Sequence, residues 1–372
     1  TELASLINTL HNKGVKVLAD IVINHRNGTG SWCGFANPNW SMQAITSDDE
    51  AWGATGSNCS GTRGNADSGG GYAAARDIDH SQGFVQTSIK DWMNTTLKGV
   101  GFDGWRYDYV KGFNGSYVGI YNNATSPYFS VGEYWTSLCY NGEGCGSDAN
   151  YPDAHRQLLI NWVNATGGTS AVFDFTTKGL LNKALSTYNF SVLKDSSGKP
   201  QGAIGWWPSH SVTFVDNHDS QKNSSLESQV KDWFKPSAYG LILLMKKGYP
   251  CIFYGDYYGV KGKKSPHRKV LDMLLRARKE YAYGEEVDYF DHPNTIGFVR
   301  LGDPGHADSG LAVVISNGED GEKTMSVGEN RKGEVWHEIT GSVKDTVAID
   351  EEGKGRFLVK GGKLAVWVKV KA

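Results

Sequence analysis

The stretch Gly101-Phe102-Asp103-Gly104-Trp105-Arg106-Tyr107-Asp108 sets the pattern that decides the fold: a short apolar run that ends in ionisable groups. Three other segments have the same form. They are Val17-Leu18-Ala19-Asp20-Ile21-Val22-Ile23-Asn24-His25, Phe129-Ser130-Val131-Gly132-Glu133-Tyr134-Trp135 and Val212-Thr213-Phe214-Val215-Asp216-Asn217-His218-Asp219. Each reads as a buried strand. Further strand-like runs lie near 171–175 and 250–254, and helical spacing recurs at 2–13, 82–98, 154–165, 177–187 and 235–247. In the 82–98 helix, Phe84, Val85, Ile89, Trp92, Met93 and Leu97 are expected on one side. Strands alternating with helices at crossover spacing predict a parallel sheet, and the length favours a closed barrel. The expected class is α/β, a (β/α)8 barrel with its site at the C-terminal strand ends. Only six strands are counted, so the first two of the barrel are expected to precede Thr1.

Working outward, residues 26–80 are rich in Gly, Ser and Asn and poor in periodic apolar residues. A loop this long inside a compact domain is usually functional, and here it reads as an inserted irregular domain. Beyond about residue 283, strand-like runs at 296–300, 310–315, 334–339, 346–349, 355–359 and 363–370 alternate with Gly/Asp/Asn turns. They predict a C-terminal antiparallel β-sandwich. The expected division is 1–25 with 81–283 for the barrel, 26–80 for the insertion and 284–372 for the β domain.

The 372 residues carry a net charge of −2 with both signs interspersed, so no nucleic acid or anionic membrane is expected as partner. No apolar run approaches the roughly 18–20 residues of a membrane span. A monomer is expected. Cys33 and Cys59 share the inserted segment, Cys139 and Cys145 close a short loop, and Cys251 lies in an apolar run. Two disulfides and one free thiol would fit an oxidising compartment. Nine Asn-x-Ser/Thr sequons, at Asn27, Asn39, Asn58, Asn94, Asn114, Asn123, Asn164, Asn189 and Asn223, fit the same extracellular, secreted location.

Asp108 follows Arg106 by two residues in a strand, so both project to one face. A guanidinium beside a carboxylate holds it ionised, as a nucleophile requires. Glu133, between an apolar strand and Tyr134-Trp135, is placed for the raised pKa of a general acid. Asp219 supplies a third carboxylate. Any one such residue caps a helix more often than it does chemistry, but three in order suit glycosidic-bond hydrolysis. His25 and His218 could bond sugar hydroxyls. Asn24, Asp67 and Asp77 are oxygen donors, and Gly112 offers a close carbonyl after Lys111. By spacing alone these four are ordinary turn residues. No Cys/His cluster has zinc spacing.

Taken together, Asp20-Ile21-Val22-Ile23-Asn24-His25, Gly104-Trp105-Arg106-Tyr107-Asp108, Val131-Gly132-Glu133-Tyr134-Trp135 and Phe214-Val215-Asp216-Asn217-His218-Asp219 resemble the four signature regions of α-amylases, in order. Ala75-Arg76-Asp77-Ile78-Asp79-His80 resembles a fifth. The segments Phe173-Asp174-Phe175-Thr176-Thr177-Lys178-Gly179 and Gly205-Trp206-Trp207-Pro208 look most like plant-type enzymes, and the tail is more similar to bacterial liquefying ones. The resemblance implies an endo-acting, retaining α-1,4-glucan hydrolase acting on starch. Asp108 matches the nucleophile, Glu133 the acid/base and Asp219 the transition-state stabiliser. Arg106, His25, His218, Lys111, Trp135, Trp206 and Trp207 match substrate contacts. Asn24, Asp67, Asp77 and Gly112 match a Ca2+ site. Where plant-type enzymes place another acidic calcium ligand, this chain has Gly34-Phe35-Ala36, so fewer calcium ions are expected. Alternatives are a transglycosylase, an exo-acting maltooligosaccharide former and an inactive glucan-binding fragment.

Overall fold

The structure, a computed structural model, describes residues 1–28, 32–53, 59–138 and 151–370. Cys139, Cys145 and the sequon at Asn58 therefore lie outside the described residues. By internal contacts the chain divides into two units: Thr1–Thr136 with Gln157–Phe173, and Ser137–Arg156 with Asp174–Ala372.

In the first unit, helix α1 (Glu2–His11) is capped by Thr1, whose side chain accepts from the Ala4 N–H. Strands β1 (Leu18–Ile21), β4 (Gly104–Tyr107), β5 (Ser130–Gly132) and β6 (Ala171–Phe173) pair in parallel in that order. Side chains alternate along β4, and each face has its own task. Trp105 and Tyr107 are fully buried; the Trp105 indole N–H donates to Thr125 Oγ1 (2.9 Å) and the Tyr107 hydroxyl to Asn122 Oδ1 (2.9 Å). Both acceptors belong to α3 (Gly115–Thr125), so that face carries the covering helix. The opposite face presents Arg106, in register beside Asp20 of β1. Gly132 of β5 must be glycine: a Cβ there would come 2.2 Å from the Trp162 ring of helix α4 (Pro152–Ala165).

The inserted segment is closed at its base by β2 (His25–Arg26), antiparallel to β3 (Arg76–Asp77), and pinned within by a Cys33–Cys59 disulfide. Helix α2 (Gly83–Asp91) then runs into a π-helical stretch, Trp92–Leu97. Here the expected apolar side needs correction. Val85, Ile89 and Met93, four residues apart, are buried, whereas Phe84 and Trp92 are exposed at 37% and 38%. Those two fall on a neighbouring stripe of the helix.

In the second unit, helix α5 (Phe175–Ser186) precedes β7 (Ser211–Phe214), which pairs in parallel with β8 (Tyr249–Cys251) across helix α6 (Lys235–Leu244). A hairpin of β9 (Gly259–Val260) and β10 (Lys263–Lys264) and helix α7 (Arg268–Glu280) follow. The C-terminal sheet holds β11 (Glu286–Tyr289), β12 (Thr295–Arg300), β13 (Leu311–Ser316), β18 (Leu364–Lys369), β15 (Val335–Glu338) and β16 (Thr346–Ala348), in that order. It is buried on both sides. Leu311, Val313 and Ile315 of β13 join the core of α5, α6 and α7, while Ala312 and Val314 face the pair β14 (Gly321–Ser326) and β17 (Lys354–Val359). The second layer of the expected sandwich is thus only two strands wide. Among the described residues no helix is long and apolar enough to cross a membrane.

Candidate active site

Arg106 organises the strand ends of the first unit. Its Nη1 donates to Asp108 Oδ1 (2.5 Å) and to Asp20 Oδ1 (2.8 Å), and its Nη2 lies 2.7 Å from Glu133 Oε1. The last is a charge contact without hydrogen-bond alignment, so Glu133 Oε1 is buried with no hydrogen bond. The Tyr109 N–H approaches the other carboxyl oxygen at 3.4 Å. Three carboxyl groups therefore share one guanidinium. Burial would lower the pKa of Arg106, but Glu133, Asp20 and Asp108 hold it above its ordinary value. Burial pushes Glu133 up to about 7; the Asp108 charge adds to the shift, and Arg106 opposes it. The C-terminal ends of β4 and β5 thus set an ion-paired carboxylate beside a carboxyl that keeps its proton near neutral pH.

An aromatic wall adjoins these groups. The His25 ring stacks on Tyr72 with centroids 4.0 Å apart, and Tyr72 meets Tyr109 edge-on at 5.2 Å. Burial lowers the His25 pKa against the pull of Asp108. Tyr109 takes a left-handed backbone (φ 47°), and its hydroxyl donates to the Gly71 carbonyl (3.1 Å). The Lys111 ammonium sits 5.2 Å from the Tyr109 ring centre. Behind this wall, buried His80 contacts the Ile23 carbonyl through Nε2 (2.9 Å) and the Tyr121 hydroxyl through Nδ1 (2.6 Å). Burial lowers its pKa to about 4, so the ring is neutral, with Nε2 donating to the carbonyl and Nδ1 accepting. It anchors the backbone that leads into Asn24.

Asn24, Asp67, Asp77 and Gly112 come together beside that wall. The Asn24 amide donates to Asp77 Oδ1 (3.0 Å), which leaves Asn24 Oδ1 buried without a hydrogen bond. Asp67 Oδ2 is likewise buried and unpartnered. A Cβ on Gly112 would meet Asn24 Oδ1 at 2.0 Å, and the Lys111 carbonyl accepts from the Gly70 N–H (3.0 Å). Burial raises the Asp77 pKa to about 7, helped by Asp67, Asp49 and Glu50. Among the described residues no three His, Cys, Asp or Glu side chains are grouped to hold a metal. The cradle has two carboxylates and completes its donor set with amide and backbone oxygens.

In the second unit Asp219 follows the C-terminal end of β7, as Asp108 follows β4 and Glu133 follows β5. Its carboxylate lies 3.4 Å from His218 Nε2, and its N–H donates to Asn217 Oδ1 (2.9 Å). The start of this turn is tied down by Asp216, a buried residue 3.0 Å from the Lys178 ammonium and 3.1 Å from that of Lys235. Trp135 is half-buried two residues after Glu133.

Two expected substrate contacts are placed elsewhere. Trp206 and Trp207 precede β7 and sit at its N-terminal end, where the Ser211 hydroxyl donates to the Trp207 carbonyl (2.9 Å). They are thus at the opposite end of the strand from Asp219. One face of Trp206 is covered by the Arg156 guanidinium at 3.7 Å, and Trp207 packs on His210 at 4.3 Å. Three neighbours were missed from sequence. Asp20 had a signal, since it stands mid-strand in the same kind of run as Arg106. Tyr72 and Tyr109 had none beyond being aromatic.

No family model matches the chain. The chain is 34% identical to a glucan 1,4-alpha-maltohexaosidase of Bacillus sp. (strain 707) over 99% of its own length and 77% of that protein. It is 33% identical to an alpha-amylase of Bacillus licheniformis over 99% of its own length and 78% of that protein. To the chloroplastic alpha-amylase 3 of Arabidopsis thaliana it is 46% identical over 77% of this chain, but it spans only 31% of that longer protein. Among solved structures, an alpha-amylase from Malbranchea cinnamomea shares the fold at a TM-score of 0.69 and 16% identity, covering 99% of this chain and 77% of that one.

Proposed function

This chain belongs to the α-amylase family of glycoside hydrolases, and we propose that it cleaves α-1,4-glucosidic bonds of starch and related glucans by an endo-acting, retaining route. The observation that carries the reading is the single guanidinium of Arg106 shared by Asp108 and Glu133. Both carboxyls lie within its span, which suits the separation of about 5–5.5 Å that retention requires. Asp108, ion-paired with Arg106, attacks the anomeric carbon. Glu133, protonated near pH 7, gives its proton to the departing glucosidic oxygen. It then takes a proton from the water that releases the glucosyl group from Asp108, which restores both residues. By the family resemblance Asp219 takes the part of transition-state stabiliser, and His25, His218, Lys111 and Trp135 those of sugar contacts. Trp206 and Trp207 are left as contacts for glucan away from the cleaved bond.

Calcium fits the cradle of Asn24, Asp67, Asp77 and the Gly112 backbone, because two of its buried oxygens have no donor and its carboxylates crowd one another. A calcium ion bound there supplies the missing positive charge and ties the inserted segment to the backbone that follows Asp108. Few further ions are proposed. Around Phe35, in Gly34-Phe35-Ala36, stand the guanidinium groups of Arg26 (5.2 Å) and Arg76 (4.8 Å), which repel a cation.

The test is reducing-sugar release from soluble starch in millimolar calcium and after chelation, with the anomer of the first products read by NMR. Release of α-anomers that falls on chelation is expected. First products of β configuration would overturn the retaining assignment, and absence of release in both conditions would overturn the hydrolase reading for this chain.

A further inference from the structure

Past Asp219 the second unit forms a crevice of unusual charge. One wall is Gln221, Lys222 and Asn223; the other is the loop after β8, through Phe253, Val260 and the β9–β10 hairpin. Lys261 (φ 51°) and Gly262 (φ 77°) make the two-residue turn of that hairpin, which fixes the position of Lys263 and Lys264 beside it. From Gly259 to Lys269 the sequence has five Lys or Arg residues and no acid, in a chain whose net charge is −2.

The acids of the crevice are already engaged. Asp256 holds the Lys235 ammonium (2.5 Å) and the Tyr239 hydroxyl (2.7 Å), and Asp232 lies 3.5 Å from His267 Nε2. Glu227, nearby, accepts from the Asn223 N–H (2.8 Å). Lys222, Lys261, Lys263 and Lys264 line the space and have no ion-pair partner among the described residues. Four like charges around one concavity repel each other and focus a positive potential into it, which an anion relieves. Two exposed aromatic rings adjoin the same place. Tyr254 and Tyr258 are 69% and 51% exposed with ring centres 4.6 Å apart, on the short helix that begins just after Phe253. Exposed aromatic faces suit the apolar face of a glucose ring.

We propose that this crevice binds glucan chains whose glucose residues carry phosphate monoesters, with the lysines on the phosphate and the tyrosines on the sugar. This rests on the glucan-hydrolase reading above, since the crevice continues from the loop that bears Asp219. A phosphate monoester offers nearly two negative charges and three acceptor oxygens, enough for several of the lysines at once.

The test compares binding of phosphate-bearing maltooligosaccharides with the same mixture after phosphatase treatment, by calorimetry, on protein made unreactive by Asp108→Asn. Tighter binding of the phosphorylated mixture by about tenfold is expected, the scale of one charge-assisted hydrogen bond, and it should shrink at high salt. The preference should fall to about one in Lys261→Gln/Lys263→Gln/Lys264→Gln on the same background, and partly in Lys222→Gln, which leaves the hairpin intact. Equal binding of both mixtures by the parent protein overturns the proposal. So does a preference that survives the triple substitution. If the unsubstituted protein releases no sugar from neutral starch, the hydrolase reading fails, while the phosphate preference is still measured by binding.

Discussion

Two clusters of buried charge, one in each unit, use the same residue types to opposite ends. Around Arg106, three carboxyl groups meet one cation. Around Asp216, two carboxylates (Asp216 and Asp256) meet two ammonium groups (Lys178 and Lys235). In the first cluster the excess of negative charge and the burial leave Glu133 holding a proton near neutral pH. In the second, burial pushes Asp216 up and Lys178 down, each toward its neutral form, while the carboxylates hold Lys235 above its usual value. The balanced cluster serves to hold the Asp219 turn. What separates a reactive cluster from a structural one is the count of charges rather than their depth.

The hardest way to break this contrast is to remove the reactive carboxyls. Asp108→Asn is expected to lower kcat on starch by on the order of 10^4-fold or more, with circular dichroism unchanged. Glu133→Gln should cost about 10^2–10^4-fold on starch. In kcat/KM, which reports the first step, that loss should be largely recovered on an aryl maltooligoside, whose leaving group needs no proton, while kcat stays low because Glu133 is also the base of the second step. A Glu133→Gln protein equally impaired on both substrates would remove Glu133 from the acid role.

Arg106→Met tests the shared guanidinium itself. Glu133 must be protonated to act, and its pKa is about 7, so kcat/KM should fall as pH rises through about 7. Arg106 opposes the upward shift of Glu133, so its removal should carry that basic limb to higher pH while kcat drops by roughly 10^2–10^3-fold. A limb that stays in place would show that the limb does not report Glu133.

In the balanced cluster the expected effect is on stability. Lys235→Met leaves Asp216 and Asp256 with one cation between them, and breaking such a buried pair costs about 3–5 kcal/mol. Denaturant unfolding reads this directly. A loss below about 1 kcal/mol would mean that the carboxylates simply take up protons and the count of charges matters little. The calcium cradle lies between the two extremes. Chelation should lower the melting temperature by several degrees, with calcium and not magnesium restoring it, because the donor set is a flexible array of oxygens.

Much of this was legible in sequence, for definite reasons. Strand alternation placed Arg106 and Asp108 on one face, and apolar runs marked β4, β5 and β7 to within a few residues. The cluster of Lys178, Asp216, Lys235 and Asp256 was not legible, because its members are far apart in the chain and each alone reads as a surface charge. Helix α3, which carries the hydrogen bonds to Trp105 and Tyr107, was hidden by its composition: Gly, Ser, Asn and Tyr give a weak apolar stripe. The strands β11 and β14 were missed because charged residues interrupt their apolar pattern, Glu286 and Asp288 in the one and Glu322 and Lys323 in the other. Trp206 and Trp207 were read as aromatics for stacking on glucose with no position along β7, although the signal for one was present. They precede the strand, and the rule that places chemistry after a strand should have set them apart.

The position of Trp206 gives the smallest and sharpest test. Trp206 is 42% exposed and lies flat on Arg156, a buried guanidinium that also pairs with Asp195 (3.1 Å) and Asp153 (2.7 Å). Removing the indole uncovers that cation and forfeits a contact worth about 0.5–2 kcal/mol. Trp206→Ala should therefore lower stability by that amount, read as a shift in the unfolding midpoint. On short soluble maltooligosaccharides kcat/KM should change by less than about twofold, because the ring stands at the N-terminal end of β7 and the carboxylate of Asp219 at the other. A tenfold loss of kcat/KM with stability intact would return Trp206 to the neighbourhood of the cleaved bond. A change confined to stability would show that position along the strand, more than residue type, decides which aromatic meets the reacting sugar.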